Sequence, residues 1–445
     1  MAKKVEKIAI IGGGSSYTPE FIEGFITHEN EIQVGEIALF DIDEERLNIV
    51  GGMAQRQVLH AELDTRVTLT LSRPEAVEGA HFVASQMRVG QMPARIRDEK
   101  IPLKYDVIGQ ETTGPGGTLK AWRTIPVTLD VARDVEKYAP GAWYLNFTNP
   151  SGIITEAILK HTNLKVVGLC NNPMNYQHLL AMGLGVSDEQ LFLEWVGLNH
   201  VNWVRRIFVD GQDVTQRMLD AFQMIKDEIQ IHIDPERKRL IETTRELNFD
   251  PDLIRMLGVL PTYYLQYYYD HPHKLAEAKA DPKSRGEVVQ EVEKALFEKY
   301  KDPNQMVKPP ELSQRGGALY SEAAIRLMLS LLHDRRDIQI VVTRNNGAIS
   351  DLPDDVSVEV PCVVGAHGVT PLNMGPLPET IRALCQQVKA WESWTVEAGV
   401  TGSRQAALMA MTVNPLVPSF EVARALVDEM LEANRDYLPQ FFPKK

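Results

Sequence analysis

Lys7 to Phe21 reads "KIAIIGGGSSYTPEF". A short apolar run meets Gly12, Gly13 and Gly14, and a helical pattern follows. Glycines let a chain turn tightly and bring its backbone close to a pyrophosphate. The free N–H groups that open the next helix can then receive the anion. Gly12, Gly13, Gly14, Ser15, Ser16 and Tyr17 are therefore candidate nucleotide contacts, with Tyr17 standing where the third glycine of GxGxxG would fall. The glycines alone also fit a plain structural turn. A strand before them and a helix after them favour the nucleotide.

Outward from this turn, short apolar runs alternate with helical patterns. Strands are expected at Lys7–Ile11, Glu36–Asp41, Val67–Leu71, His81–Ser85, Trp143–Phe147 and Lys165–Leu169, and helices at Pro126–Lys137 and Ser151–His161. Buried strands alternating with helices predict a parallel, doubly wound sheet, and six of them complete a dinucleotide-binding Rossmann fold. Asp41 closes the second strand. A carboxylate there accepts from ribose hydroxyls and repels a 2′-phosphate, which favours NAD over NADP; the plainer role is a turn cap. From Leu191 the texture changes. "LFLEWVGLNHVNWVRRIFVDG" reads as two adjoining strands around "GLNH". Charged helical segments follow, then the turn signals "RNNGAI" and "GAHG", then a helical tail. The expected division is 1–190 and 191–445, an α/β domain followed by a mixed α+β one.

Bulk properties narrow the function. The 445 residues are 44% hydrophobic and 24% charged, and the formal net charge is −13. Such a chain lacks the basic footprint of nucleic-acid or acidic-membrane binders, yet a few local arginines can still hold a small anion. No apolar stretch approaches the ~18–20 residues of a bilayer span. Three cysteines, Cys170, Cys362 and Cys385, do not make a disulfide framework and fit a reducing cytoplasm. The opening residues show no signal-peptide pattern.

Three further places carry chemistry. Cys170 ends the sixth expected strand, at the sheet edge where open α/β folds bind ligands, and His200 follows "EWVGL". Thiolate and imidazole are both transition-metal ligands, and a pair of them would leave positions for substrate oxygens; a buried, inert cysteine is the bland alternative. "LPTYYLQYYYD", Leu260–Asp270, crowds five tyrosines together. If Pro261 opens a helix, Tyr264, Tyr267 and Tyr268 share a face. Aromatic packing accounts for most of them, and a tyrosine base would need a nearby cation or metal to lower its pKa. Finally, the segment from Val89 to Gly117 reads as a loop that carries Arg95, Arg97 and Glu111, with Arg88 just before it. Its arginines suit phosphate.

Read together, "IGGGSSYTPE", "RVGQMPARIRDEKIPLKY", "GQETTGPGG", "NFTNPSG", "GLCNNP", "GLNH" and "RGGALYSEAA" resemble glycoside hydrolase family 4 over nearly the whole chain, and its 6-phospho-β-glucosidases most of all. The resemblance implies a Rossmann domain joined to one like the C-terminal domain of lactate and malate dehydrogenases. It implies NAD and a divalent metal, usually Mn²⁺, and a homodimer or homotetramer. It also implies a redox route that departs from the two-carboxylate glycosidase scheme. Hydride leaves C3 of a phosphosugar for NAD⁺, and the ketone acidifies the C2 proton. A base takes that proton with the metal as Lewis acid, the aglycone leaves C1, water adds and the hydride returns.

On this chain the resemblance makes Cys170 and His200 the metal ligands and Tyr264 the base, with Tyr263 its rival. Glu111 becomes the acidic residue that raises the tyrosine's basicity, and Arg95, Asn149 and Arg285 the substrate and phosphate contacts. Phospho-α-glucosidases of the family carry Asp where this chain has Asn171. An amide cannot act as an acid at neutral pH, so Asn171 points to β-linked substrates, a phosphorylated disaccharide or aryl glycoside. Asn172 follows where an apolar residue is expected. Other specificities of the family (6-phospho-α-glucosidase, α-galactosidase), an NAD-dependent hydroxy-acid dehydrogenase and a non-catalytic nucleotide sensor are the alternatives.

Overall fold

The computed structural model describes residues 2–219, 249–315 and 319–443. Much of the charged stretch expected to be helical after residue 219, and residues 316–318 of the "RGGALYSEAA" motif, lie outside them. β1 (Lys3–Ile11), β2 (Ile32–Phe40), β3 (Arg66–Thr70), β4 (Phe82–Ser85), β5 (Trp143–Asn146) and β6 (Lys165–Gly168) are mutually parallel, in the order 3-2-1-4-5-6. Ile8, Ile10 and Ile11 of β1 are fully buried, as expected of a central parallel strand covered on both faces. The strand order reverses between β1 and β4, so the crevice outside their C-terminal ends is the place for a dinucleotide.

A second, antiparallel sheet pairs β7 (Leu191–Leu198) with β8 (Val201–Val209), to which β9 (Gln212–Asp213) and β10 (Leu260–Pro261) add on. The "GLNH" turn is the tip of the β7–β8 hairpin, and His200 adopts φ +69° there. Such left-handed backbone is uncommon for a residue with a side chain and typical of tight hairpin turns. β11 (Asp337–Arg344), β12 (Ser357–Gly365) and β13 (Gly368–Pro371) then return to the first sheet, where β11 runs antiparallel beside β6. Among the described residues the sheet thus reaches nine strands, and it runs across residue 190. "RNNGAI" and "GAHG" fall at the two connections between these strands, where turns are expected.

Two segments differ from the sequence reading. Gln91–Leu103, read as part of a loop, is a helix. The helix expected from Pro126 begins already at Gly114 and continues to Tyr138 with Pro126 inside it. Local propensity argues against both, since one starts in a glycine-rich run and the other contains prolines; burial against each other overrides it. The pair is locked by Arg123, whose Nη1 and Nη2 each donate to Asp98 at 2.7 Å, with the side chains 1% and 0% exposed. A Cβ on Gly109 would stand 1.6 Å from the Glu99 carbonyl oxygen. Only glycine there lets the loop leading to Glu111 lie flat on the helix that carries Arg95.

Removing one partner of a buried ion pair strands the other charge. Asp98→Asn is therefore expected to lower the unfolding free energy by about 3–5 kcal/mol, read from a denaturant titration against the wild type.

Candidate active site

The cleft opens at the C-terminal ends of β1 and β4. It measures about 280 Å³ and is lined by Gly12, Ser15, Tyr17 and Asp41 at one end and by Arg88, Lys120, Asn149 and Tyr320 at the other. Gly12 takes φ +88°, and a Cβ there would press on the Gln86 carbonyl at 3.0 Å. Gly12 and Gly13 both donate to the Phe40 carbonyl, which lays the glycine turn against the end of β2. Asp41 caps that turn: Oδ2 accepts from the Gly14 N–H at 2.9 Å and Oδ1 from the Asp43 N–H at 3.1 Å. The capping role leaves room for the ribose role, because each carboxylate oxygen keeps a further lone pair and the residue lines the cleft. Ser16 does not line it; the side chain is fully buried and donates to Glu293 at 2.9 Å. At the third-glycine position the Tyr17 ring packs edge-on against Tyr320 at 6.0 Å.

Two chain segments meet beyond this cleft. Cys170 follows β6, His200 sits at the tip of the β7–β8 hairpin, and their Sγ and Nε2 atoms stand 3.7 Å apart. With metal–sulfur and metal–nitrogen bonds of about 2.3 and 2.1 Å, two ligands of one tetrahedral ion stand roughly 3.6 Å apart. Both side chains are buried. Burial and the nearby Glu359 carboxylate push the Cys170 thiol up to about 12. Burial and the Lys120 ammonium pull His200 down to about 3. The imidazole is thus neutral and ready to bind, while the thiol would become a ligand once a cation displaces its proton to solvent. Among the described residues no cluster of three or more His, Cys, Asp or Glu is placed to hold a metal. The pair therefore fits a divalent cation whose other ligands come from substrate and water.

Tyr264 lies on the His200 ring, centroids 4.0 Å apart and planes 28° from parallel. Thr112, next to Glu111, hydrogen-bonds with its side chain. Pro261 opens no helix: it ends β10, and one 3₁₀ turn, Tyr263–Leu265, leads into the four-residue helix Gln266–Tyr269. The expected shared face fails because the 3₁₀ turn advances faster per residue than an α-helix. Tyr267 still approaches Tyr264 at 6.2 Å, whereas the Tyr268 hydroxyl is buried near Thr113. Burial, then Cys170, Tyr267 and Glu111, raise the Tyr264 pKa. A divalent cation held beside it would reverse that direction.

Glu111 gathers the cations. Its carboxylate accepts from Arg88 Nη1 at 2.5 Å and Lys120 Nζ at 2.9 Å, and Arg95 Nη1 stands 3.2 Å away. Burial disfavours its charge, but these three cations outweigh burial and hold the carboxyl well below the usual range. Burial pulls Lys120 down to about 7 despite the attraction of Glu111. Arg95 also donates to Glu99, whose other oxygen accepts from the Gly286 N–H near the start of the helix Arg285–Lys301. Arg95 thus belongs to the cluster, and Asn149 lines the cleft. Arg285 stands apart, exposed, and donates to the Gln314 carbonyl at 3.2 Å. Arg97 turns away to Asn434. Asn171 immediately precedes the helix Asn172–Leu184, next to Cys170 in the chain.

The family 4 glycosyl hydrolase model matches residues 7–186, and the model of that family's C-terminal domain matches residues 195–417. The chain belongs to glycosyl hydrolase family 4. A probable 6-phospho-beta-glucosidase of Bacillus subtilis (strain 168) is 48% identical over 444 residues, 98% of each chain. The structure of the 6-phospho-beta glucosidase from Thermotoga maritima with manganese, NAD⁺ and glucose-6-phosphate is 36% identical. It superposes with a TM-score of 0.87, covering 97% of this chain and 99% of that one. Malate dehydrogenase from Plasmodium falciparum, 14% identical, shares the fold at a TM-score of 0.54 over 89% of this chain and 98% of its own. The α/β reading, with a dehydrogenase-like second part, stands.

Some residues of this family 4 site escaped the sequence reading. Lys120 falls between the loop read as far as Gly117 and the helix read from Pro126, inside the single helix Gly114–Tyr138. Glu359, on β12, accepts from Trp195 Nε1 at 3.0 Å, Asn199 Nδ2 at 2.9 Å and Asn202 Nδ2, and so pins the hairpin that presents His200. Neither has a local motif. Among the described residues no helix is long and apolar enough to cross a membrane.

If Cys170 and His200 share a cation, Cys170→Ala removes one of two protein ligands. Mn²⁺ affinity is expected to fall on the order of 100-fold, measured by titration calorimetry or by the EPR signal of free Mn²⁺.

Proposed function

We propose that this chain is an NAD- and divalent-metal-dependent 6-phospho-β-glucosidase that releases glucose 6-phosphate from a phosphorylated disaccharide or aryl glycoside. The observation that carries the reading is the Cys170–His200 pair at 3.7 Å with Tyr264 stacked on the imidazole. A hydroxy-acid dehydrogenase or a nucleotide sensor has no use for it. The Bacillus and Thermotoga relatives support the same activity, and manganese, NAD⁺ and glucose-6-phosphate in the Thermotoga structure support the same ligands. When bound, NAD⁺ supplies a hydride acceptor and the cation a Lewis acid.

The chain's own residues do the remaining work. Gly12 and Ser15 receive the dinucleotide at the glycine turn, and Asp41 faces its ribose. Cys170 and His200 hold the cation. Tyr264, beside it, takes the C2 proton. Glu111, charged and clamped by three cations, fixes Arg88 and Lys120 in the cleft together with the buried Arg95 and keeps a negative charge near the Tyr264 hydroxyl, which favours the proton's arrival. Arg95 and Asn149 orient the sugar. Asn171 offers an amide where an acid would serve α-linked substrates, so the β-linked leaving group departs with help from water. The same reading carries a cytoplasmic setting and a homodimer or homotetramer, and three free, buried cysteines agree with reducing surroundings.

With Mn²⁺, NAD⁺ and reductant, an aryl 6-phospho-β-glucoside is expected to release its aryl group without build-up of NADH absorbance. Net NADH, or no release from any phosphoglycoside, overturns the reading. In D₂O the product is expected to carry deuterium at C2. Tyr264→Phe is expected to slow that exchange roughly 100-fold or more, followed by NMR. Unchanged exchange moves the base to Tyr263.

A further inference from the structure

Arg315 lines the cleft together with Ser15, Tyr17, Arg88 and Glu293. Its guanidinium lies 5.5 Å from the centre of the Tyr17 ring. Among the described residues the buried Nε has no hydrogen-bond partner and Arg315 has no ion pair. The carboxylate nearest to hand is already taken. Glu293 accepts from Arg46 through both oxygens, at 3.1 and 3.2 Å, and from Ser16 Oγ at 2.9 Å. Arg88 and Arg95, by contrast, are each matched to Glu111. Burial lowers the Arg315 pKa, and the like charges of Arg88 and Arg95 act in the same direction against the attraction of Glu293. A guanidinium stays charged in a protein, and Arg315, half-buried with its Nε cut off from water, gives up part of its hydration without an ion pair among the described residues, which is costly. This arrangement calls for an anion from outside the chain.

We propose that Arg315 binds a phosphate group of a ligand seated in the cleft, its planar fork donating to phosphate oxygens. A bidentate fork against a dianion is the pairing that arginine geometry suits best. The proposal rests on the phosphoglucosidase reading for its ligands, which carry such a group in two places: the 6-phosphate of the sugar and the pyrophosphate of NAD. The Tyr17 contact ties Arg315 to the glycine turn. Tyr17 in turn packs on Tyr320, whose side chain reaches Asn149 and the Cys170 thiol. Arg315 therefore stands within a short chain of contacts from both ends of the cleft.

The test measures binding of glucose 6-phosphate and of NAD⁺ separately, by titration calorimetry, to the full-length wild type, Arg315→Met and Arg315→Lys. Loss of charge-assisted hydrogen bonds is expected to weaken one of the two roughly 10- to 100-fold in the Met variant, with a smaller loss for Lys, which keeps charge without the fork. A loss confined to glucose 6-phosphate assigns Arg315 to the sugar phosphate, and a loss confined to NAD⁺ assigns it to the pyrophosphate. Thermal unfolding of each variant checks the fold, and where the Met variant melts early the Lys variant decides. Both affinities unchanged in a folded variant overturns the proposal. Failure of the wild type to hydrolyse phosphoglucosides while it still binds glucose 6-phosphate removes the functional reading and leaves the assignment of Arg315 standing.

Discussion

The thiol of Cys170 belongs to the end of a parallel sheet and the imidazole of His200 to a hairpin in a different, antiparallel sheet, and they come within 3.7 Å. Each sheet alone would present one of the two candidate metal ligands. The approach holds because the hairpin is fastened from behind: β12, a strand of the first sheet, brings Glu359 under the turn, where three N–H donors converge on it. Burial and the Glu392 charge raise that carboxyl to about 7 against the pull of its donors, a sign of how far from water the fastening lies. A strand that follows the hairpin in sequence thus locks it to a sheet that precedes it.

Charge follows a similar logic. The chain carries a net −13 and nevertheless takes an anionic sugar, because the cations that matter are placed indoors. Arg88, Arg95 and Lys120 converge on Glu111, which neutralises part of their charge and fixes their geometry. In such surroundings the field of a few ordered groups exceeds that of a solvated surface of opposite sign. Preorganisation of this kind costs nothing at the moment of reaction, since the dipoles and charges are already aimed. It does place a heavy demand on folding, met by the buried Asp98–Arg123 pair and by glycines that let the Glu111 loop touch the Arg95 helix.

Much of the fold was legible in the residues. Burial is continuous along the C-terminal halves of β1 and β2 and along most of β4, β5 and β6, because both faces are covered there, and apolar runs mark these stretches plainly; β3, at the sheet edge, is only partly buried. Glycines after the first run and Asp41 after the second announced the nucleotide crevice. Less legible were the elements whose local signal opposes their state. Gln91–Leu103 contains Pro93 and Pro102 and still coils, and Gly114–Tyr138 starts on glycines, because both helices gain more from packing than their residues lose in propensity. The run around Tyr264 misled in the other direction. Pro261 is a common helix opener, yet its carbonyl and its place on β10 are claimed by neighbours: the Tyr176 hydroxyl donates to it at 3.1 Å, and β10 pairs with β8.

By itself the sequence determined the class of chemistry: which strands form, where the backbone turns for a dinucleotide, and which side chains can ligate a metal, lend a proton or refuse to. Asn171 cannot become an acid in any fold, and Cys170 and His200 carry ligand atoms wherever they lie. Tertiary structure alone decided who meets whom. The gathering of Lys120 with Glu111, the clamp of Glu359 and the placing of the Arg315 guanidinium beside the Tyr17 ring depend on elements distant along the chain. No local pattern encodes them, because a charge acts over ångströms of space and the chain records only the order of its residues.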